Sequence, residues 1–269
     1  MARVSDQTAR KAAQTHGVAS SMSEAQRAHF RDRGWVLARG FCTSEETLQL
    51  SAWTDDLARC PERAGAQMVY HEMSLEAPTV RLVQRIENFC PFHERFDRFV
   101  RGRLQAATES LLGERVVLFK DKINFKMPGG AGFEPHQDQQ AGWSRYAPLF
   151  VTALVSLDAA PLESGCLEIA DAPRLTGLIG QEWQPLSALE LKGLSLQPLT
   201  CEPGDVIFFD SFVAHGSKPN RSPRPRRILY LTYNPASAGD HREQYFRDKR
   251  ASFPPDIERL PGVEYRFRV

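Results

Sequence analysis

The sequence predicts a mainly β domain in which N-terminal helices pack against a β-sandwich, a barrel or a jelly roll. Apolar residues before Gly113 recur with helical spacing. After Gly113, short β-branched and aromatic runs alternate with Gly- and Pro-rich turns, as in a protein built from short strands. With 269 residues, 42% of them hydrophobic, the chain can bury one large core.

The first third of the expected domain, residues 23–112, is predicted to be helical. Two helices are expected to begin at capping boxes, formed by Ser23 with Gln26 and by Thr43 with Glu46. A short strand is expected at Trp35–Leu37, and another helix over residues 91–112. Residues 1–22 are polar and are predicted to be a disordered tail, and residues 23–269 are predicted to form a single domain.

The predicted β core spans about residues 115–235, and a C-terminal extension follows over residues 236–269. Its strands are the apolar runs Val116–Phe119, Ile123–Met127, Phe150–Leu157, Cys166–Ala170, Val206–Phe209 and Ile228–Tyr233. Polar residues share one face of the first part of this core: Lys120, Lys122, Asn124 and Lys126. A solvated face is the simpler interpretation for most of these lysines. Lys122 and Asn124 are retained as contacts for an anion or a cosubstrate.

Composition excludes several classes of protein. A formal net charge of +1 gives no reason to expect a nucleic-acid partner, because such binding needs concentrated basic charge. The five cysteines are odd in number and contain no C-x-x-C pair, which argues against a disulfide framework or a structural zinc site and favours the cytoplasm. No apolar run is long enough to span a bilayer, so no membrane partner is expected. The oligomeric state is not predicted.

Two short motifs could together bind a metal ion. In an extended segment His136 and Asp138 would point to the same side, because residues i and i+2 share a strand face. A distant strand, Val206–Phe209, leads to His215. Two histidines and one carboxylate form the facial set that binds non-haem Fe(II) and leaves positions open for other ligands. Arg226, eleven residues after His215, begins the last apolar run and can hold a carboxylate through two hydrogen bonds.

Each motif is weak alone, but their order along the chain is specific. The chain resembles the phytanoyl-CoA dioxygenase family, which has an H-x-D…H triad and an arginine eleven residues beyond the second histidine. The segments Glu163–Leu167, His215–Ser217 and Asn220–Ser222 resemble the same family, and the similarity spans about residues 23–234. This resemblance implies a double-stranded β-helix, a cupin-like jelly roll, with packed N-terminal helices.

The resemblance also implies a chemistry. The chain is expected to be a non-haem Fe(II)- and 2-oxoglutarate-dependent dioxygenase that uses O2 to hydroxylate an unactivated C–H bond. Iron would be held by His136, Asp138 and His215, and 2-oxoglutarate by Arg226. Further expected cosubstrate contacts are Ser217, Arg85 and Asn124. No side chain beyond the metal site is assigned a catalytic role.

The expected substrate is a small polar molecule, with a phosphonate or a zwitterion as the favoured class. The segment from Lys122 through Gly130 to Asp138 is similar to bacterial members that hydroxylate 2-aminoethylphosphonate and its trimethylammonium relative. Candidate substrate residues are Lys122, Trp143, Arg145, Tyr146 and Arg174. The two aromatic residues would suit an ammonium group through cation–π attraction. The loop Asp171–Arg174 departs from the family's usual P-G-S-H, so the substrate is expected to differ from that of many relatives.

Three other functions stay open at this point. A natural-product tailoring oxygenase or an acyl-CoA hydroxylase would use the same iron site. A non-catalytic, metal-binding sensor of a small ligand is a third alternative, although Arg226 argues against it because a sensor has no need to bind 2-oxoglutarate. Related halogenases lack the carboxylate ligand, so Asp138 favours hydroxylation over halogenation.

Overall fold

The two N-terminal helices begin at the capping boxes that the sequence predicts. The structure is a computed structural model that describes residues 22–265. Helix α1 spans Glu24–Arg33 and α2 spans Ser44–Arg59, and in each the cap hydroxyl accepts a hydrogen bond from the backbone three residues on. Between them lies strand β1, Trp35–Ala38. The predicted tail lies outside the described residues except for Met22, which is buried.

The expectation that residues 23–112 are helical apart from β1 is wrong in two places. Two further strands lie there, β2 (Met68–Met73) and β3 (Arg81–Glu87). Strand β3 carries charged residues on its inward face, which hides the alternation of apolar and polar residues that marks a strand. The predicted helix over 91–112 is broken into α3 (Glu94–Phe99) and α4 (Gln105–Leu112), because Gly102 between them has a non-helical ψ of −118°.

The remaining elements build two antiparallel sheets. They are β4 (Val116–Lys126), β5 (Phe133–His136), β6 (Val151–Ser156), β7 (Leu167–Ala170), β8 (Leu196–Leu199), β9 (Val206–Asp210), β10 (His215–Ser217), β11 (Arg226–Pro235) and helix α5 (Arg242–Ser252). The large sheet has the order β1-β9-β6-β11-β4-β3-β2, and the small sheet the order β5-β10-β7-β8. Two predicted runs merge into the long strand β4, whereas β8 and α5 were not predicted.

The apolar core lies on one face of the large sheet. Ile123 and Phe125 of β4 and Leu229 and Leu231 of β11 are buried there with residues of the N-terminal helices. The opposite face, towards the small sheet, carries the polar residues of the same two strands. The interpretation of Lys120–Lys126 as a solvated face is therefore wrong for Lys126, whose side chain is buried, and the face as a whole lines the interior of the barrel.

Candidate active site

The three predicted metal ligands meet between the two sheets. His136 ends β5, and His215 begins β10 directly opposite it in the strand register. Asp138 does not continue the strand, as the sequence suggested, but opens a 3₁₀ turn, Asp138–Ala141. The possible ligand atoms of the three side chains lie within 4.8 Å of one another. Nε2 of His136 is 3.8 Å from Oδ1 of Asp138.

Backbone carbonyls orient both imidazole rings. Nδ1 of His136 lies 2.7 Å from the Glu134 carbonyl, and Nδ1 of His215 lies 3.0 Å from the Val213 carbonyl. A carbonyl can only accept, so each Nδ1 carries the proton and each Nε2 keeps a free lone pair. Those lone pairs are the ones that a metal ion would use. The same backbone contacts fix the rings before any metal binds.

The protonation states also suit a metal ion. Burial, followed by the neighbouring His215, lowers the pKa of His136 to about 4. Burial alone would raise the pKa of the Asp138 carboxyl, but His215 and His136 outweigh it, so this pKa is lowered. A neutral imidazole and an ionised carboxylate are the forms that bind a metal. This donor set fits Fe(II) with open positions for further ligands.

Two threonines, which the sequence analysis did not predict as part of the site, support the carboxylate ligand Asp138. The Thr152 hydroxyl donates to Oδ2 of Asp138 at 3.3 Å and shares a second hydrogen bond of 2.9 Å with Thr232. Both threonines are buried, on β6 and β11. A buried hydroxyl within an otherwise apolar strand is the only sequence signal they give, and the small size of that signal explains the omission.

A small cavity lies at the three predicted metal ligands, which form part of its wall. Four of the residues predicted from sequence line it, namely Lys122, Asn124, Trp143 and Ser217. A second and larger cavity adjoins it, sharing Lys120 and Trp143 as wall residues. Arg145 and Tyr146 line this outer cavity, not the inner one. The structure thus separates the predicted substrate residues into two compartments.

Arg226 lies in the interior, on the same face of β11 as the cavity residues Tyr230 and Thr232, but it is not among the residues that line the inner cavity. Its side chain is fully buried, yet none of its three nitrogens has a hydrogen-bond partner among residues 22–265. Burial raises the pKa of Tyr230, four residues further on the same face, and the nearby Arg226 guanidinium opposes that shift. Leaving a buried guanidinium unpaired is costly, so the group fits a site for an anionic ligand such as the distal carboxylate of 2-oxoglutarate.

Two predicted residues lie away from the inner cavity. The Arg174 guanidinium donates to Oδ2 of Asp210 at 2.6 Å and lies over the Phe30 ring, where it anchors its loop to α1. Arg85 donates to Glu87 at 2.8 Å and stacks over the Tyr70 ring, 4.1 Å from the centroid. The structure therefore brings neither guanidinium to the iron site, because each is held by a carboxylate and an aromatic ring.

Two lysines of β4 face the cavities without a partner carboxylate. Within the described chain, neither the Lys120 nor the Lys122 ammonium forms a hydrogen bond or an ion pair. The Lys122 ammonium lies 4.4 Å from the centroid of the Tyr230 ring, and that of Lys120 lies 5.4 Å from the Trp143 ring. Burial, followed by the charge of Lys120, lowers the pKa of Lys122 to about 7.

Comparison with known proteins agrees with this geometry. The sequence profile of the phytanoyl-CoA dioxygenase family matches residues 30–228. The chain belongs to the phytanoyl-CoA dioxygenase family. Consistent with this membership, it is a non-haem iron and 2-oxoglutarate-dependent dioxygenase with a jelly-roll fold. In the part of the chain that the structure describes, no helix is long and apolar enough to cross a membrane.

Individual relatives cover nearly the whole chain. The chain is 38% identical over 248 residues to a 2-aminoethylphosphonate dioxygenase from the uncultured bacterium HF130_AEPn_1, covering 91% of this chain and 94% of the relative. It is 32% identical to a methylphosphonate hydroxylase from Gimesia maris, covering 87% and 89%. The crystal structure of EctD from S. alaskensis with 2-oxoglutarate and 5-hydroxyectoine superposes with a TM-score of 0.68, at 23% identity and with 81% and 77% of the chains covered, which shows a shared fold.

Proposed function

We propose that this dioxygenase hydroxylates a carbon atom of a small phosphonate, with the phosphonate group held by Lys122 and Lys120. The observation that carries the proposal is the pair of lysine side chains that face the cavities and form no ion pair with any carboxylate of residues 22–265. Two relatives that cover most of the chain are named for phosphonate substrates, which supports the same class.

Positive charge exceeds negative charge around these two lysines, as the binding of a phosphonate dianion requires. Glu87 is fully buried, and its carboxylate accepts hydrogen bonds from Arg85 at 2.8 Å and from Lys249 at 2.6 Å. Burial opposes the ionisation of Glu87, but the surrounding cations keep its pKa below the usual range. Four cations act on this one carboxylate, namely Lys249, Lys120, Arg85 and Lys122, so positive charge is in excess around it. An anionic group in the cavity would compensate them.

The cosubstrate is assigned to the other end of the same cavity. Arg226 would bind the distal carboxylate of 2-oxoglutarate, and Ser217 and Asn124, which line the cavity, would donate to its oxygens. The keto acid's other end would reach the metal ligands. Arg226 and Lys122 lie on neighbouring strands, four register positions apart along β11, which separates the cosubstrate end from the substrate end.

The side chains prepare the reaction by position and by protonation. His136, Asp138 and His215 would hold ferrous iron, which supplies the activation of O2 that couples decarboxylation of 2-oxoglutarate to oxidation of the substrate. The backbone carbonyls of Glu134 and Val213 keep both rings in the ligating tautomer. The buried walls exclude water, and Lys122 would fix the substrate carbon near the metal by gripping the phosphonate.

The cavity and the relatives do not favour the alternatives. An acyl-CoA or a large natural product needs a long apolar or nucleotide-binding cleft, whereas the inner cavity is small and its wall includes two lysines, an asparagine and four residues with hydroxyl groups. The named dioxygenase relatives also leave no role for a non-catalytic sensor.

Substrate-dependent succinate release with phosphonates tests the proposal. 2-Aminoethylphosphonate and methylphosphonate should stimulate succinate formation, and β-alanine, which has a carboxylate in place of the phosphonate, should stimulate it far less. Lys122→Met should raise the KM for the phosphonate by roughly 30-fold or more, because a charged partner is lost from a buried site. Lys192→Met is the matched control, since Lys192 is exposed and remote in the chain from the cavity.

Two results would contradict it. One is the absence of succinate release above background with every phosphonate, while another compound class gives tight coupling. The other is a Lys122→Met enzyme with an unchanged KM for an accepted phosphonate, which would remove the lysine from the site and leave the dioxygenase class intact.

A further inference from the structure

A buried lysine, Lys126, lies beside Arg226 and contacts Ser217, which lines the inner cavity. Lys126 ends β4 and pairs across the strand ladder with Arg226, the first residue of β11. The two side chains are 3% and 0% exposed. The Lys126 ammonium lies 2.7 Å from the Ser217 hydroxyl, 2.5 Å from the Lys218 carbonyl and 3.3 Å from the Gly165 carbonyl. It therefore joins the end of β10 to the turn that precedes β7.

We propose that Lys126 is a positioning residue of the cosubstrate pocket, whose protonation sets the direction of the Ser217 hydroxyl and couples 2-oxoglutarate binding to proton uptake. The inference rests on the proposed role of Arg226 as the group that binds the distal carboxylate. It concerns a residue that the proposed function does not use.

The number of acceptors around Lys126 determines what each protonation state can do. An ammonium has three protons, one for each of its three acceptors. The Ser217 oxygen then accepts from Lys126, and the Ser217 proton is free to donate to a carboxylate in the cavity that Ser217 lines. A neutral amine has two protons and one lone pair. The two carbonyls take both protons, so Ser217 must donate to the amine and presents only lone pairs to the cavity.

The charges packed around Lys126 favour the neutral form until an anion arrives. Burial, followed by the charge of Arg226, lowers the pKa of Lys126 to about 6, whereas Glu72 on β2 and Cys166 and Glu168 near and on β7 act in the opposite direction. A carboxylate bound to Arg226 compensates the guanidinium and adds a negative charge close to the amine. Both effects raise the pKa of Lys126, so the bound state holds a proton that the free state lacks.

The sign of the coupling follows from that difference. Below a pH of about 6 Lys126 is protonated with or without ligand, and the affinity for 2-oxoglutarate does not depend on this group. Above that pH, binding requires uptake of a proton, and the affinity falls by up to roughly tenfold per pH unit until the pKa of the bound state is reached.

Calorimetric binding of 2-oxoglutarate to the ferrous protein without oxygen measures the coupling directly. Titrations in two buffers with different heats of ionisation, from about pH 6 to about pH 8, give the number of protons taken up. Wild-type protein should take up part of a proton near neutral pH. Lys126→Met should take up none, show an affinity independent of pH, and bind roughly tenfold to a hundredfold more weakly at low pH, as expected for a lost charged hydrogen bond.

Two further variants test the route through Ser217. Lys192→Met is the matched control, because Lys192 is exposed and is not among the charges that act on Lys126, and this variant should keep the wild-type proton uptake. If Lys126 acts by directing the hydroxyl, the loss of affinity caused by Ser217→Ala at low pH should be smaller in the Lys126→Met background than in the wild-type background. Additive losses would overturn the hydroxyl step.

The outcomes separate this inference from the proposed function. If Lys126→Met keeps the wild-type proton uptake, the inference is overturned. If Arg226→Met binds 2-oxoglutarate as tightly as wild type, the assignment of the cosubstrate pocket fails instead. Should Lys126→Met fail to fold, the wild-type titration still tests the proposal. An affinity for 2-oxoglutarate that does not change between pH 6 and pH 8 would contradict it.

Discussion

The two faces of the strand pair β4–β11 treat their charged residues in opposite ways. On the outer face, Arg227 is held by Asp158, with distances of 2.8 Å and 2.9 Å, and by Asp55 at 2.5 Å. On the inner face, its neighbour Arg226 is more deeply buried and has no hydrogen-bond partner in the described chain. Among residues 22–265, Lys120 and Lys122 on that face also form no ion pair with a carboxylate.

This contrast distinguishes a structural charge from one that waits for a ligand. A buried cation that serves the fold is paired within the chain, because an unpaired one costs several kcal/mol, on the order of 3–5 when one partner of a buried pair is removed. A fold that retains such unpaired cations is stabilised elsewhere, here by the apolar core on the outer face. The inner face is therefore the functional one.

Removing a metal ligand should have the largest effect on the inner face. Asp138→Ala or His215→Ala should reduce substrate-dependent succinate formation to background, since the remaining two ligands no longer form the facial set. Thermal unfolding should change little, because neither side chain fills the apolar core. Glu134→Gln is the control, as its exposed carboxylate lies outside the ligand set while its carbonyl stays in place. Full activity in both ligand variants would show that the metal lies elsewhere.

The contrast between faces also explains what the sequence could and could not predict. Outer-face residues alternate with inner ones at a period of two, so most strands of the core follow from spacing, and the ligands His136 and His215 follow from the order of their motifs along the chain. The strand β3 was missed because its inward residues, Arg85 and Glu87, are charged. A charge pattern of this kind also made Lys126 look solvated. The sequence shows the two-residue period of a strand, but it does not show which face of the strand is exposed to solvent.

The fate of other predicted residues depended on partners that are remote in the chain. Arg174 was a candidate substrate contact, but its partner Asp210 lies 36 residues away. The support that Thr152 and Thr232 give to Asp138 joins residues separated by 80 positions. Neither pairing has a local sequence signature, so only the fold reveals it.

Exchange of Arg226 for methionine should affect cosubstrate binding next most strongly. The KM for 2-oxoglutarate should rise by roughly 30- to several-thousand-fold, which corresponds to a loss of about 2–5 kcal/mol. The free energy of unfolding should stay the same or increase, because an unpaired buried charge is removed from the folded protein. Steady-state kinetics with urea unfolding measures both quantities. A marked loss of stability would mean that Arg226 has a partner in the folded chain.

The neighbouring exchange, Arg227→Met, should show the opposite pattern and a smaller effect. Its guanidinium is 17% exposed and loses two carboxylate partners, so the free energy of unfolding should fall by about 1–3 kcal/mol. The KM for 2-oxoglutarate should stay within about twofold, since the side chain points away from the cavity. Asp158→Asn should reproduce part of the destabilisation. A KM effect larger than that of Arg226→Met would reverse the assignment of the two faces.

The outer cavity should contribute least, and Tyr146→Phe measures how little. The Tyr146 hydroxyl donates to Asp248 at 2.6 Å, and the second oxygen of that carboxylate accepts from Gln244 at 2.7 Å. This hydrogen bond is already made within the protein, as with Arg227, so its loss should change the KM for a phosphonate by less than about fivefold. Arg145→Ala should behave similarly, since its guanidinium lines the same outer cavity. A larger change in KM for either variant, with an unchanged KM for 2-oxoglutarate, would extend the substrate site past Trp143 into the outer cavity.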